Sequence, residues 1–178
     1  FEIALTTSKR VERGEADRVN IEQFTGIELP ERASHNSAGY DFKAAEDTVI
    51  KSIWGQAFRL VRRGILEERK DKRIYDGFFK PTKIHTGVKA FMQEDELLEL
   101  YVRSSTPKKL GLVLANSVGI IDSDYYSNID NDGEIMFMVY NILPFDVTVK
   151  KGTRFGQGIF KKFLKADFDE TFNERKGG

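Results

Sequence analysis

The stretch Asn116-Ser117-Val118-Gly119-Ile120-Ile121-Asp122-Ser123-Asp124-Tyr125 sets two carboxylates and an aromatic ring at the mouth of an apolar segment. That segment, Leu110 to Ala115, is apolar enough for a buried strand. Ser117, Val118 and Gly119 supply a tight turn, and Ile120 to Tyr125 reads as the returning arm of a hairpin. Alternation along the arm puts Asp122 and Asp124 on one face, Ser123 and Tyr125 on the other. The two aspartates therefore read first as a catalytic pair. The plainer reading is that Asn, Gly and Asp are turn formers.

Four further clusters carry groups suited to phosphate or to proton transfer. Ala38-Gly39-Tyr40-Asp41 places an acid at the start of a strand. Arg103-Ser104-Ser105 follows a strand and precedes Thr106-Pro107-Lys108-Lys109-Leu110, where Pro107 fits the first turn of a short helix. A guanidinium fork, hydroxyls and the N–H groups of a helix start all suit phosphate oxygens. Gly152-Thr153-Arg154-Phe155-Gly156-Gln157 and the tail Arg175-Lys176-Gly177-Gly178 complete the set. Taken singly, each is an ordinary surface pattern.

The background is that of one domain with a sizeable core, at 178 residues. Lys plus Arg equals Asp plus Glu, 28 each, so no bulk field points to nucleic acid or a membrane surface. Any anionic substrate must be held by a local cluster. The absence of cysteine excludes disulfides, thiolate catalysis and cysteine zinc sites. No apolar stretch approaches membrane-spanning length and no secretory signal is visible, so a soluble cytoplasmic protein is expected.

The elements that must position these groups are mostly short strands. They are expected at Phe1 to Thr7, Ala38 to Ala44, Thr48 to Lys51, Ile84 to Phe91, Leu97 to Val102, Glu134 to Asn141, Phe145 to Val149 and Phe155 to Phe163. Turns rather than helices separate them, which predicts an all-β fold, a barrel or double-sheet jelly roll. The charged segment from Ile53 to Lys80 reads as a solvated insertion whose charges decorate a helix face. Its Trp54, Phe78 and Phe79 are expected to anchor it to the body. Residues 1–164 form the predicted domain and 165–178 a C-terminal arm. His35 and His85 stand apart as ordinary histidines, and Lys161-Lys162 as a solvated edge.

In this order and spacing the five clusters resemble the motifs of the trimeric dUTP pyrophosphatase (dUTPase) family. Ala38-Gly39-Tyr40-Asp41 is similar to the first motif, Arg103-Ser104-Ser105 to the second and Asn116 to Tyr125 to the third. Gly152-x-Arg154-x-x-Gln157 is similar to the fourth, and the tail to the start of the fifth. The resemblance implies a distorted jelly-roll homotrimer with active sites shared between subunits, acting on dUTP. It also implies Mg²⁺ held mainly by substrate phosphates, with Asp41 reaching it through water. Asp122 would be the general base, and Arg103, Ser104, Ser105, Gln157 and Arg175 would hold phosphate oxygens. Asn116, Gly119 and Ile121 belong to the turn and arm that would pair with uracil, and Tyr125 would pack on deoxyribose.

Departures from the pattern are Val102 for proline, Ser105 for glycine, and Tyr126-Ser127-Asn128 for a basic-glycine continuation, with Ser127 to Gly133 lengthening the loop. Lys176 replaces a glycine in the tail. The nearest alternative is dCTP deamination within the same superfamily, which needs a glutamate on the strand after the hairpin; Glu134 is available but out of register. A different alternative makes Ile53 to Lys80 the binding surface for a protein partner.

Overall fold

Glycine on the central strand decides how tightly this protein packs. The computed structural model describes residues 1–4, 26–66, 80–169 and 171, with backbone alone at 60 and 62–66. In it β12 (Arg154–Lys162) lies between β3 (Tyr40–Lys43) and β7 (Glu96–Val102). Gly156 and Gly158 leave its inner face bare. A side chain at Gly158 would occupy the space taken by Phe42 and Leu98, and one at Gly156 the space taken by the Phe137 ring. Phe42, Phe137 and Phe155 thereby meet ring against ring, with centroids 5.0 to 5.4 Å apart, in the middle of the core. Leu98, Leu100, Leu112, Ile135 and Val139 close around them. Burying such side chains contributes about 1.5–3 kcal/mol each.

The architecture is mostly β and of the jelly-roll type, with four antiparallel sheets among the described residues. The largest runs β2 (Glu31–Arg32), β3, β12, β7, β9 (Gly119–Asp122). A second runs β5 (Thr82–His85), β10 (Met136–Asn141), β8 (Leu112–Leu114). The pairs β11 (Val147–Val149) with β4 (Thr48–Ile50), and β1 (Glu2–Ile3) with β6 (Val88–Lys89), complete it.

Three expectations change. The apolar segment and the arm after Asn116 do not form a hydrogen-bonded hairpin. β8 pairs with β10 and β9 with β7, so the turn between them crosses from one sheet to the other. The arm also ends early. Ser123–Tyr125 is a 3₁₀ turn, which cancels the two-residue alternation that put Asp122 and Asp124 on one face. Ile84 to Phe91 breaks in two at Gly87, whose φ of +68° ends β5 and starts β6 in a different ladder.

Ile53–Leu66 forms helix α1, the first part of the charged segment. Ser52 caps it, its Oγ accepting from Trp54 N at 3.1 Å while donating to Leu143 O at 2.6 Å. Trp54 is tied to the body by its indole N–H, 2.9 Å from Ile142 O, but its ring is 61 % exposed. With Phe58 and Val61, also exposed, it forms an outward apolar stripe rather than a packed anchor. Phe78 and Phe79 lie outside the described residues, as does most of the predicted C-terminal arm. Lys161 and Lys162 are exposed, as expected of a solvated edge, and pair with Glu99 and Asp95, each at 2.6 Å.

Candidate functional site

Asp41 is the anchor of the site. It sits on β3 opposite Gln157 of β12, which in turn faces Tyr101 of β7. Side chains directly opposite across a ladder share a face. Asp41, Gln157 and Tyr101 therefore form a row on the face of the sheet turned away from Leu98 and Leu100. Asp41 is buried, and its Oδ1 accepts from Arg103 Nε at 2.9 Å. Its Oδ2 lies 3.6 Å from Arg154 Nη1 and has no hydrogen-bond partner.

The second cluster is aimed at this row by backbone bonds to β12. Arg103 N–H donates to Phe155 O at 3.1 Å, and the buried Thr106 Oγ donates to the same carbonyl at 2.7 Å. Ser105–Leu110 forms the expected short helix α2, with Pro107 in its first turn. Ser104 is the N-cap residue but its exposed hydroxyl caps nothing, and Ser105 opens the helix. Gln157 is reached from below by Gly39, where a methyl group would stand 2.6 Å from Gln157 Oε1. The first motif thus contributes a carboxylate and the room for a neighbouring amide. Asp41, Arg103, Ser104, Ser105 and Gln157 are brought together.

Arg154 belongs to this group, and no role was assigned to it from sequence. The signal was its place in the fourth motif. Only the bulge between Arg154 and Gly156 brings its guanidinium beside Asp41.

The third cluster is split along the same sheet. Gly119 starts β9 opposite Leu100, and its hydrogen leaves 3.0 Å between a notional Cβ and Leu100 Cβ. Asn116 is exposed in the crossing turn, where Ser117 takes φ +62°. Ile121 faces Leu98 and packs against the core, so only its backbone is presented outward. Asp122 is exposed at the end of β9, opposite Leu97. From Leu97 to Arg103 the strand advances roughly 20 Å. Asp122 therefore shares a face with Asp41 and Gln157 and stands at the far end of it. Arg175 lies outside the described residues.

Between the two ends, Glu99 accepts from the Tyr101 hydroxyl and pairs with Lys161 at 2.6 Å. Lys161 holds Glu99 below the usual carboxylate range, and Glu99 raises both Tyr101 and Lys161. Tyr125 donates its hydroxyl to Glu134 O at 3.1 Å. The Glu134 side chain is buried and bound to His85 Nδ1 at 3.1 Å and Gly87 N at 3.0 Å. It is a buried carboxylate held by a strand residue and a backbone amide, with His85 on β5 and Gly87 in the break after it.

As to a divalent cation, the orphaned Oδ2 of Asp41 fits a hydrogen bond from a metal-bound water, while two neighbouring guanidinium groups disfavour direct ligation. Among the described residues no three His, Asp or Glu side chains converge as ligands. Among the same residues no helix is long and apolar enough to cross a membrane.

The sequence and the fold are similar to those of known proteins. The family model described as dUTPase matches residues 80–177. A deoxyuridine 5′-triphosphate nucleotidohydrolase of Lactococcus lactis subsp. lactis (strain IL1403) is 42% identical over 158 residues, 86% of each chain. One from Rickettsia rickettsii (strain Sheila Smith) is 29% identical over 153 residues, 86% of this chain and 82% of that one. The crystal structure of dUTPase from Streptococcus mutans superposes with a TM-score of 0.61 at 37% identity, covering 82% of this chain and 91% of that one. The dUTPase from phage phi11 of S. aureus, with its species-specific insert, shares the fold at a TM-score of 0.57 and 16% identity, over 84% and 92% of the two chains.

Proposed function

The chain belongs to the dUTPase family, and on that footing we propose that it hydrolyses dUTP to dUMP and pyrophosphate in a Mg²⁺-dependent reaction. One observation carries the finer reading: Asp41, Arg103 and Gln157 are assembled at one end of a sheet face, and Asp122 stands at the other. A triphosphate bound at Arg103 is out of reach of Asp122 in the same chain. Copies of the chain packed through this face bring one copy's Asp122 to another's Arg103. A homotrimer with shared sites satisfies this.

In such a site Arg103, Ser104, Ser105 and Gln157 bind phosphate oxygens, and Arg175 closes over them from the tail. Asn116, Gly119 and the backbone at Ile121 pair with the edge of uracil. Tyr125 walls the deoxyribose. Asp122 orients a water and takes its proton; the water oxygen bonds to the α-phosphorus as the bridging bond to the β-phosphate breaks, releasing pyrophosphate. Asp41 orients Arg103 and offers its free oxygen to metal-bound water. Mg²⁺, when bound, neutralises phosphate charge. This chemistry suits a cytoplasmic enzyme that clears dUTP and supplies the dTTP precursor dUMP.

Incubation with dUTP, dCTP, dTTP and UTP plus Mg²⁺, following pyrophosphate and deamination, tests the assignment. Pyrophosphate from dUTP alone is expected. Deamination of dCTP would replace it.

The exposed stripe Trp54, Phe58 and Val61 favours a second, additional role for Ile53 to Lys80 as a surface for a protein partner. Deletion of residues 53–80 with full dUTP turnover retained leaves that role open; loss of the folded trimer would make the segment structural.

A further inference from the structure

We infer that Asn131 is a positioning residue for Tyr125, and through it sets discrimination between deoxyribose and ribose; the inference rests on the proposed reading of Tyr125 as the sugar wall. Asn131 Nδ2 donates to Tyr125 Oη at 2.6 Å, and Tyr125 Oη donates to Glu134 O at 3.1 Å. The hydroxyl is thus held both as acceptor and as donor. A ring held only by packing swings about two side-chain torsions, whereas this ring is fixed at its far end.

Each group that grips the hydroxyl is itself held. Asn131 Oδ1 accepts from Asn128 Nδ2 at 2.8 Å and from Gly133 N at 3.1 Å. Asn128 Nδ2 also donates to Tyr125 O at 2.9 Å, and Asn128 Oδ1 accepts from Asn131 N at 3.1 Å. Gly133 has φ +78°, and a Cβ there would lie 2.8 Å from both Tyr125 O and Ser127 N. The loop can fold back this closely only with glycine at that position. Glu134, whose carbonyl takes the hydroxyl proton, is fixed by the bonds from His85 and Gly87. Lys89 bolts the middle of the loop, its Nζ 3.1 Å from Ser127 Oγ and 3.0 Å from Asp132 Oδ1.

The consequence is chemical. A wall excludes a 2′-hydroxyl only if it cannot retreat by the width of an oxygen atom. Deoxyribose tolerates a mobile ring; ribose is admitted by one. The segment from Ser127 to Gly133, which departs from the family pattern, therefore serves selectivity rather than turnover.

The test compares kcat/KM for dUTP and UTP, with Mg²⁺, in wild type, Asn131→Ala, Tyr125→Phe and the double variant. Each single variant is expected to raise the UTP-to-dUTP ratio about tenfold, the scale of the ordering cost of one freed side chain. The double variant should match Tyr125→Phe, because Asn131 acts through the hydroxyl. A merely structural Asn131 would lower the thermal midpoint and both activities alike, leaving the ratio unmoved; that result overturns the inference, as does additivity in the double variant. Should Asn131→Ala not fold, Tyr125→Phe decides alone, an unchanged ratio counting against the tether. Wild-type protein that cleaves neither nucleotide would overturn the reading of the site together with it.

Discussion

Asp41 and Arg103 meet over β12, Oδ1 to Nε at 2.9 Å, although Asp41 lies on β3 and Arg103 directly follows β7, strands that are not paired with each other. The pair fixes the direction of a guanidinium that would otherwise be a flexible surface charge, and it leaves the second carboxylate oxygen unspent. A half-buried, aimed cation on a buried carboxylate is a binding arrangement more than a stabilising one, since desolvating such a pair offsets much of its attraction.

Asp122→Asn removes the proposed proton acceptor while keeping the size and shape of the side chain at an exposed position at the end of β9. We expect kcat to fall about 10²- to 10⁴-fold with binding of a non-hydrolysable dUTP analogue retained. Single-turnover kinetics with calorimetric titration read both; an active variant removes Asp122 from the base role.

The proposed division of the site between copies predicts complementation. Arg103→Ala and Asp122→Asn proteins, each inactive, should regain a measurable fraction of wild-type turnover when unfolded together and refolded as mixed assemblies. Mixing without subunit exchange should restore nothing. Failure of the co-refolded sample, with mixed assemblies verified by mass, would place a whole site within one chain.

Gly39→Ala is expected to separate activity from stability. The added methyl meets the end of the Gln157 side chain, a flexible group that can move aside. The thermal midpoint should therefore change little while KM for dUTP rises by about tenfold, one lost phosphate hydrogen bond. Equal loss in Gly39→Ala and in the Gly39→Ala, Gln157→Ala double variant would show that the effect runs through Gln157.

Gly156→Ala should do the reverse. Its Cβ would lie 2.6 Å from Phe137 Cζ, and Phe137 is wedged between Phe42 and Phe155 with no room to yield. Overpacking of this kind costs about 1–3 kcal/mol, to be read from denaturant unfolding.

His85 gives a pH signature. Its hydrogen bond to Glu134 raises its affinity for a proton, outweighing burial, with Glu46 adding to the rise and Lys83 opposing it. A histidine whose folded value lies above the unfolded 6.5 contributes stability that is full below that pH and is lost as pH rises through the folded value. The thermal-midpoint difference between wild type and His85→Gln should accordingly be largest under acidic conditions and shrink towards alkaline pH. A difference independent of pH would mean that the pair does not titrate.

Much of this was legible in the residues. β12, β7, β10 and the short helix after Arg103 follow from local apolar runs and one proline, and the ordered clusters pointed to the same set that meets at Asp41. What escaped depends on partners distant in the chain. Leu112 to Leu114 and Gly119 to Asp122 look like the arms of one hairpin because they are neighbours in sequence, yet each finds a better-matched strand in a different sheet. His85 looked isolated because Glu134 stands 49 residues away. β2, just Glu31 and Arg32, has no apolar pattern to announce it. Arg154 needed a bulge, which no periodicity reveals.

β7 has one more consequence. It joins the end of the sheet that carries Asp41 and Arg103 to the end that carries Asp122, and its Leu98 and Leu100 face the core while Glu99 and Tyr101 face out. Unless a bulge absorbs it, as between Arg154 and Gly156 in β12, one residue added to a strand turns the side chains beyond it to the other face. The gauge between the two half-sites is therefore adjustable only in double steps of about 7 Å. A single-residue insertion or deletion in β7 that no bulge absorbs would misalign the two ends that the proposed assembly brings together, while drift in the loops around it leaves the gauge untouched.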